Sequence, residues 1–253
     1  MSVQVLVAAM NQTDHSLLDK MNIRTDVIVG NQCDFDSVER FTYYDHSAVY
    51  LNFKERGVGL NRNNALMRAS GDFCLFADDD MVYENGYEET VEKAFAKHPD
   101  ADVLIFNIVG RDKGRDRIVK DGRVNRLNYL RYGTARIAVR LSSIRNNAIY
   151  FNQCFGGGTE HCHGEDNLFL TACLDHKMKI YAVPDFIATL TEERESTWNV
   201  GYDSRYLKDQ GALYRAISKR WWKLLCFQDA VRRKKDYGMS GIKAFRLMTK
   251  QEN

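Results

Sequence analysis

Asp72-Phe73-Cys74-Leu75-Phe76-Ala77-Asp78-Asp79-Asp80-Met81 joins a short apolar run to three consecutive carboxylates. The apolar half reads as a buried strand. Three ionised groups inside a closed core would repel one another without solvation, so they belong where the strand leaves the sheet. In an extended chain residues i and i+2 face the same way, so Asp78 and Asp80 point together and Asp79 points away. Two convergent carboxylates with no basic residue beside them suit a hard divalent cation that takes its remaining ligands from phosphate and water. The carboxyl end of a strand is also where open α/β sheets bind ligands. The plainer alternative is an acidic turn that ends one element and starts the next.

Upstream, Val3–Ala9, Asp26–Asn31 and Ala48–Phe53 read as strands, with a short helix over Asp14–Met21 capped by Thr13 or Asp14. Gly57 and Gly59 precede a helix-like stretch that carries Arg62 in its first turns, an arrangement that favours a nearby anion. Downstream, Glu84–Lys97 reads as a helix and Ala101–Ile108 as a strand. This alternation over the first ~110 residues predicts a parallel, doubly wound sheet.

The pattern then changes. Residues 111–126 hold seven basic side chains, Arg111, Lys113, Arg115, Arg117, Lys120, Arg123 and Arg126. A solvated loop is the favoured reading of such a run, and a lid over an anionic ligand is the other. Ser142–Asn147 reads as a short helix. Gly156-Gly157-Gly158 forms a loop whose backbone can approach a ligand closely. The helical spacing over Glu165–His176 puts Glu165 and Asp166 in a first turn, where the dipole favours carboxylates. His161-Cys162-His163 lacks zinc-site spacing, because adjacent residues cannot all converge on one ion.

Lys179–Val183 and Phe186–Leu190 read as strands on either side of Pro184, and Asp203–Lys219 as a helix. That helix continues through Arg220–Phe227 towards Arg232-Arg233-Lys234-Lys235. Tryptophans beside a basic cluster suit either peripheral contact with an anionic membrane or a terminal helix with a basic solvent face.

The 253 residues, 44% hydrophobic and 28% charged, suit a large α/β domain or one with an appendage. A net charge of +2 points to no nucleic-acid partner. Met1–Met10 has no basic region of an export signal, and no apolar run approaches the ~20 residues of a membrane span. The six scattered cysteines are therefore expected as free thiols in a reducing cytoplasm.

In order, these pieces resemble a family-2 glycosyltransferase of the GT-A fold. Asp78-Asp79-Asp80 is similar to the family's metal-binding D-x-D, and Gly59–Leu66 to its G-x-S-x-A-R-N-x-G segment. Gly164-Glu165-Asp166 is similar to its G-E-D motif. More narrowly, the chain resembles enzymes of bacterial capsule or surface-polysaccharide assembly. The resemblance implies a Rossmann-related, mostly parallel central sheet flanked by helices. It implies a catalytic domain over residues 1–200, with a nucleotide-binding half (1–110) and an acceptor half (111–200). A helical extension over 201–253 follows, and could touch a membrane through its basic helix. The implied reaction is an inverting transfer from a nucleotide-sugar, a UDP-sugar by preference, to a hydroxyl of a glycan or lipid-linked acceptor. Its implied location is cytoplasmic, at the inner face of a membrane.

By the same resemblance Asp80 holds Mn²⁺ or Mg²⁺, and Asp78 holds the metal, its bound water or the ribose. Ala8, Asn11, Asp34, Arg62 and Asp79 contact the nucleotide. Asp166 is the catalytic base, Glu165 orients the acceptor, and Gly156–Gly158 shape the acceptor pocket. Three segments depart from the family pattern. Ala8-Ala9-Met10-Asn11 stands for P-x-Y-N. Gly30-Asn31-Gln32-Cys33-Asp34 stands for D-D-G-S, leaving Asp34 as the candidate base-recognising carboxylate. Thr191-Glu192-Glu193 stands where many relatives have a metal-binding His, so either a carboxylate substitutes or the metal lacks this ligand. A sugar nucleotidyltransferase is the competing enzyme, although Ala8–Asp14 has none of the basic residues its phosphate loop requires. A silent nucleotide-sugar-binding module is the competing non-enzyme.

Overall fold

The computed structural model describes residues 1–110, 117–191 and 201–250. The chain opens with β1 (Val3–Met10), α1 (Leu17–Lys20), β2 (Asp26–Gln32), β3 (Ser37–Tyr43) and β4 (His46–Phe53). Next come α2 (Val58–Arg68), β5 (Phe73–Asp78), β6 (Met81–Tyr83), α3 (Tyr87–Lys97) and β7 (Val103–Val109). They are followed by β8 (Gly122–Val124), β9 (Ile137–Arg140), α4 (Leu141–Asn146), α5 (Glu165–Asp175) and β10 (Ile180–Leu190). The last elements are α6 (Ser204–Ile217), α7 (Trp222–Arg232) and α8 (Gly241–Thr249).

The strands form one sheet in the order β3-β4-β2-β1-β5-β9-β7-β10-β6, with β8 also paired to β10. β4, β2, β1 and β5 run parallel, as do β7 and β10. β9 joins the two parallel groups by pairing antiparallel to both β5 and β7. This is the mixed α/β architecture, a central sheet flanked by helices, that the landmarks imply. Alternation along β1 builds its two cores. Val5, Val7 and Ala9 pack with Val27 and Phe73 on one face, while Leu6 packs with Ile28 and Phe76 on the other. Both faces are covered, so β1 reads as a continuous apolar run.

Several boundaries differ from expectation for identifiable reasons. α1 starts at Leu17, because the Asp14 carboxylate accepts the Ser16 N–H (2.9 Å) and holds a turn there instead of a cap. α3 starts at Tyr87, because Met81–Tyr83 pairs with β10 and Gly86 then turns through a left-handed φ of 73°. The two strands expected around Pro184 are the single strand β10. Its ladder to β7 shifts register between Ala182 and Phe186, where proline offers no N–H. The helix expected to run on through Phe227 stops at Ser218, whose backbone is extended (φ −155°, ψ 107°), and α7 starts afresh at Trp222. β3, β6, β8, β9 and α8 lie outside the elements read from the sequence.

Of the basic run, Arg111, Lys113 and Arg115 lie outside the described residues. Arg117 and Arg123 lie over the rings of Phe186 and Tyr181, and Arg126 pairs with Asp175. These are surface packing contacts, in line with the solvated reading. All six cysteines are free, and among the described residues no helix is long and apolar enough to cross a membrane.

The last three helices share an apolar cluster that includes Leu207, Tyr214, Cys226, Tyr237 and Met248. Gly211 of α6 packs directly against the backbone of α8: a Cβ there would lie 1.8 Å from the Met248 carbonyl oxygen. Gly211→Ala is therefore expected to cost about 3 kcal/mol, the upper range for overpacking a tight contact. Chemical denaturation measures this, and an unchanged midpoint would show that the two helices can part freely.

Candidate active site

A cavity of about 1140 Å³ opens at the carboxyl ends of β1, β2 and β5. It exceeds the usual range for one small-molecule ligand, so it has room for two reactants. Ala8, Arg62, Asp78, Asp79, Asp80, Glu165 and Asp166 all line it. Residues separated by more than 150 positions thus meet in one space.

Arg62 organises the floor. It projects from the second turn of α2 and is only 5% exposed. Its Nη2 donates to Asp78 Oδ1 (2.6 Å) and its Nη1 to Glu165 Oε1 (2.9 Å). Burial alone would push the guanidinium pKa down. Attraction to the two carboxylates outweighs that and holds it well above its ordinary value. The Phe151 ring lies 5.5 Å from the guanidinium carbon, and Arg62 Nε has no hydrogen-bond partner among the described residues.

This geometry corrects three expectations. A basic residue does stand beside the aspartates. The anions held by Arg62 are protein carboxylates, and one of them is the Glu165 group expected to orient the acceptor. The i, i+2 alternation also does not reach Asp80, because β5 ends at Asp78 and the next two residues form a turn. Within that turn Asp79 Oδ2 accepts the Met10 N–H (3.4 Å), and the Asp80 carbonyl accepts the N–H and hydroxyl of Thr191.

The walls are set by glycines. Gly57, with φ 122°, precedes α2, and the Val58 N–H donates to the Gly157 carbonyl (2.9 Å). The Gly57 N–H donates to Gln32 Oε1 (2.8 Å). The start of α2 thus spends donors on the protein itself, where an anion was expected. Gly156 (φ 102°) lies against Glu165, and a Cβ there would come 2.8 Å from the carboxylate carbon. The glycine loop is pinned besides, since the Gly156 N–H donates to the His161 carbonyl (2.8 Å) and the Thr159 hydroxyl to the Gly156 carbonyl (2.8 Å). Gly157 lines the cavity. At the first turn of α5, Asp166 also lines the cavity, and its Oδ1 accepts the Asn167 N–H (2.7 Å).

Two expected nucleotide contacts lie elsewhere. Asp34 is 94% exposed by its side chain and pairs with Arg56 (2.7 Å), away from the cavity lining. Asn11 is also outside the lining, in a left-handed turn (φ 53°) whose N–H bonds the Gln32 carbonyl. Gln32 itself lines the cavity. Its signal was available: a polar side chain closing an apolar parallel strand, as Asp78 closes β5. Glu192 and Glu193, the carboxylates standing for a histidine, lie outside the described residues, as does Trp198.

In the His161–His163 cluster, Cys162 and His163 line the cavity, and all three residues are packed against α6. His161 Nδ1 lies 3.1 Å from Asp209 Oδ1, and the Cys162 N–H donates to the same carboxylate (3.0 Å). Burial first, and the Asp209 carboxylate next, push the Cys162 thiol up to about 12. The His163 ring lies tilted against that of Tyr206 (centroids 4.3 Å apart), and burial pushes its pKa down. Among the described residues no three His, Cys, Asp or Glu side chains are grouped as a self-sufficient cation site.

The far wall comes from α6, α7 and the residue just after α7, through Tyr206, Gln210, Asp229, Arg232 and Arg233. The sequence reading missed these because they read as faces of surface helices. Arg233 donates to the Tyr202 hydroxyl (2.9 Å) and lies over the Tyr202 and Tyr237 rings. Buried Asp229 accepts the Tyr237 hydroxyl; desolvation raises its pKa in spite of that bond and of Arg233.

Comparison with known proteins bears on this site. The crystal structure of S. aureus TarS 1–349 superposes with a TM-score of 0.63 at 15% identity, over 98% of this chain and 90% of that one. The same TarS fragment in complex with UDP-GlcNAc gives a TM-score of 0.62 at 15% identity, with the same coverage. Against the longer S. aureus TarS structure the TM-score is 0.64 at 17% identity, and this chain spans 55% of its length. Such identities show a shared fold. Among curated proteins none matches the sequence. The profile of glycosyl transferase family 2 matches residues 9–158, well over half of the chain and the whole of the stretch from the end of β1 through the glycine loop. A chain so matched, folded in this way around this cavity, belongs to glycosyl transferase family 2 and is a glycosyltransferase.

Proposed function

We propose that the enzyme is an inverting, metal-assisted glycosyltransferase that moves a sugar from a UDP-sugar to a hydroxyl of a glycan or lipid-linked acceptor. The observation that carries this reading is the charge of the cavity. Seven carboxylates and four arginines line it; five of the carboxylates, those of Asp78, Asp79, Asp80, Glu165 and Asp166, come from the end of β5 and the start of α5, and Arg62 is already committed to two of these five. A diphosphate brought there alone would meet net repulsion, and a divalent cation between phosphates and aspartates reverses the sign. The donor set suits a cation that keeps waters and substrate phosphates in its shell. Asp80, with Asp79 or the outer oxygen of Asp78, would hold it, and the cation would supply Lewis-acid stabilisation of the diphosphate leaving group. The TarS complexes with UDP-GlcNAc and UDP favour a uridine nucleotide.

The protein residues do the rest. Arg62 fixes the spacing between the end of β5 and the start of α5. Asp166 takes the acceptor hydroxyl proton as its oxygen bonds to the anomeric carbon. The bond from that carbon to the diphosphate breaks, its electron pair leaves with UDP, and the configuration inverts. Direct displacement uses one base and no protein nucleophile. The room beyond Asp166, walled by α6 and α7, receives the acceptor. The bacterial surface-polysaccharide setting is part of this proposal.

Binding of UDP, followed by thermal shift with Mn²⁺ or with EDTA, tests the metal. Stabilisation by UDP is expected only with the cation present, and Asp80→Ala is expected to abolish it. Equal stabilisation in EDTA would remove the cation from the scheme. UDP release from a panel of UDP-sugars, with and without acceptor glycans, tests the transfer itself.

A further inference from the structure

The outer face of α7 carries an exposed apolar strip. Trp221, Leu224, Phe227 and Val231 recur at helical spacing and are 50–56% exposed. Ile242 of α8 extends it at 69% exposure. α8 abuts α7 there: Gly241 lies beneath Ala230 and Val231, and Phe227 meets Phe245 edge-on at 6.1 Å. Arg220, Lys223, Lys234, Lys235, Lys243 and Arg246 are all exposed around the strip.

This end of the molecule differs in charge from the remainder. Residues 219–250 contain ten Lys or Arg and two acidic residues, Asp229 and Asp236. The whole chain has 36 basic and 34 acidic residues, which leaves 26 against 32 for everything else. One end is therefore net +8 and the rest net −6. Asp229 is buried and Asp236 faces the cavity, so neither offsets the outer face.

We propose that this strip and its basic rim seat the enzyme on a bilayer surface that contains anionic lipid. Apolar and tryptophan side chains enter the headgroup boundary while lysines and arginines meet lipid phosphates. The acidic remainder is repelled from the same surface, which sets one orientation. A second copy of the chain is a poorer occupant, because it would oppose two strongly positive faces. Leu225, Gln228 and Arg232, on the adjoining face of α7, line the cavity, so a seated enzyme holds its active site beside the headgroups.

Co-sedimentation of the full chain with phosphatidylcholine vesicles, with and without phosphatidylglycerol, tests the seating. Binding is expected only with the anionic lipid, and is expected to fall steeply with salt. Combining Lys223→Gln, Lys234→Gln and Lys235→Gln should weaken it roughly a hundredfold, at about fivefold per basic residue. Combining Trp221→Ala, Leu224→Gln and Val231→Gln should abolish sedimentation without lowering the melting temperature, since these side chains are exposed. If the apolar set fails to fold, the lysine set decides alone. Three results overturn the proposal: no binding to anionic vesicles, binding indifferent to the lysine set, or light scattering that shows a dimer which the strip substitutions dissociate. None depends on the donor or acceptor chemistry proposed above.

Discussion

Asp166→Asn should abolish sugar transfer while leaving UDP affinity within about twofold. The substitution keeps size and the first-turn position on α5 but removes the carboxylate that would accept a proton. A positioned general base contributes about 10²–10⁴ in rate. With one base in a direct displacement, a loss of about 10³ or more in kcat is expected. UDP sits on the β1–β5 side of the cavity in this scheme, so its binding has no reason to change. Steady-state kinetics beside calorimetric titration of UDP separates the two quantities. A variant that retains wild-type kcat would transfer the role of base elsewhere, the other carboxylates of the cavity being the candidates.

Arg62→Met should be the most destabilising single change in the site. Removing one partner of a buried ion pair leaves uncompensated charge, at a cost of about 3–5 kcal/mol. Here two carboxylates lose their partner together. The Asp78 side chain is 33% exposed and Glu165 14%, so water screens the first and the lower part of that range applies. Adding Glu165→Gln to Arg62→Met should recover part of the loss, because the deeper charge is then removed. Urea denaturation of the single and double variants measures both. Equal stability of Arg62→Met and wild type would mean that the triad holds nothing together. Arg62→Lys is not expected to substitute, since one ammonium cannot reproduce two in-plane contacts directed at separate carboxylates.

Legibility of the fold followed strand direction. β1, β2, β5 and β7 lie in parallel pairs, buried on both faces, and stand out as apolar runs. The unanticipated strands β3, β6, β8 and β9 all pair antiparallel. β6 and β8 have three residues and β9 four, too short for a period to show. β3 lies at the sheet edge with a mostly polar pattern, Ser37-Val38-Glu39-Arg40-Phe41-Thr42-Tyr43, which carries little core signal.

In the site, the residues with unusual chemistry for their place were legible: three carboxylates closing a buried strand, and a Glu-Asp pair opening a helix after a glycine. Asp34 was misleading because adjacency in sequence to the end of β2 does not aim a side chain. It bonds Arg56 on the surface, while Gln32, two residues earlier, faces the cavity. The wall from α6 and α7 carries no local mark, because Arg232 or Asp229 on a helix reads the same whether the helix faces solvent or a ligand.

Local chemistry alone determined that this chain has an α/β core, a carboxylate cluster at a strand end and a second acidic pair far downstream. Those follow from short-range rules, since charges leave closed cores and apolar runs enter them. Tertiary structure alone decided what each charge meets. Arg62 faces Asp78 and Glu165 only because α2 and α5 are packed over the same end of the sheet, one with its glycine start against the Gly157 loop, the other with Gly164 against Leu213. Pairings between residues 16 and 103 positions apart depend on how whole elements stack, and no window of sequence contains that information.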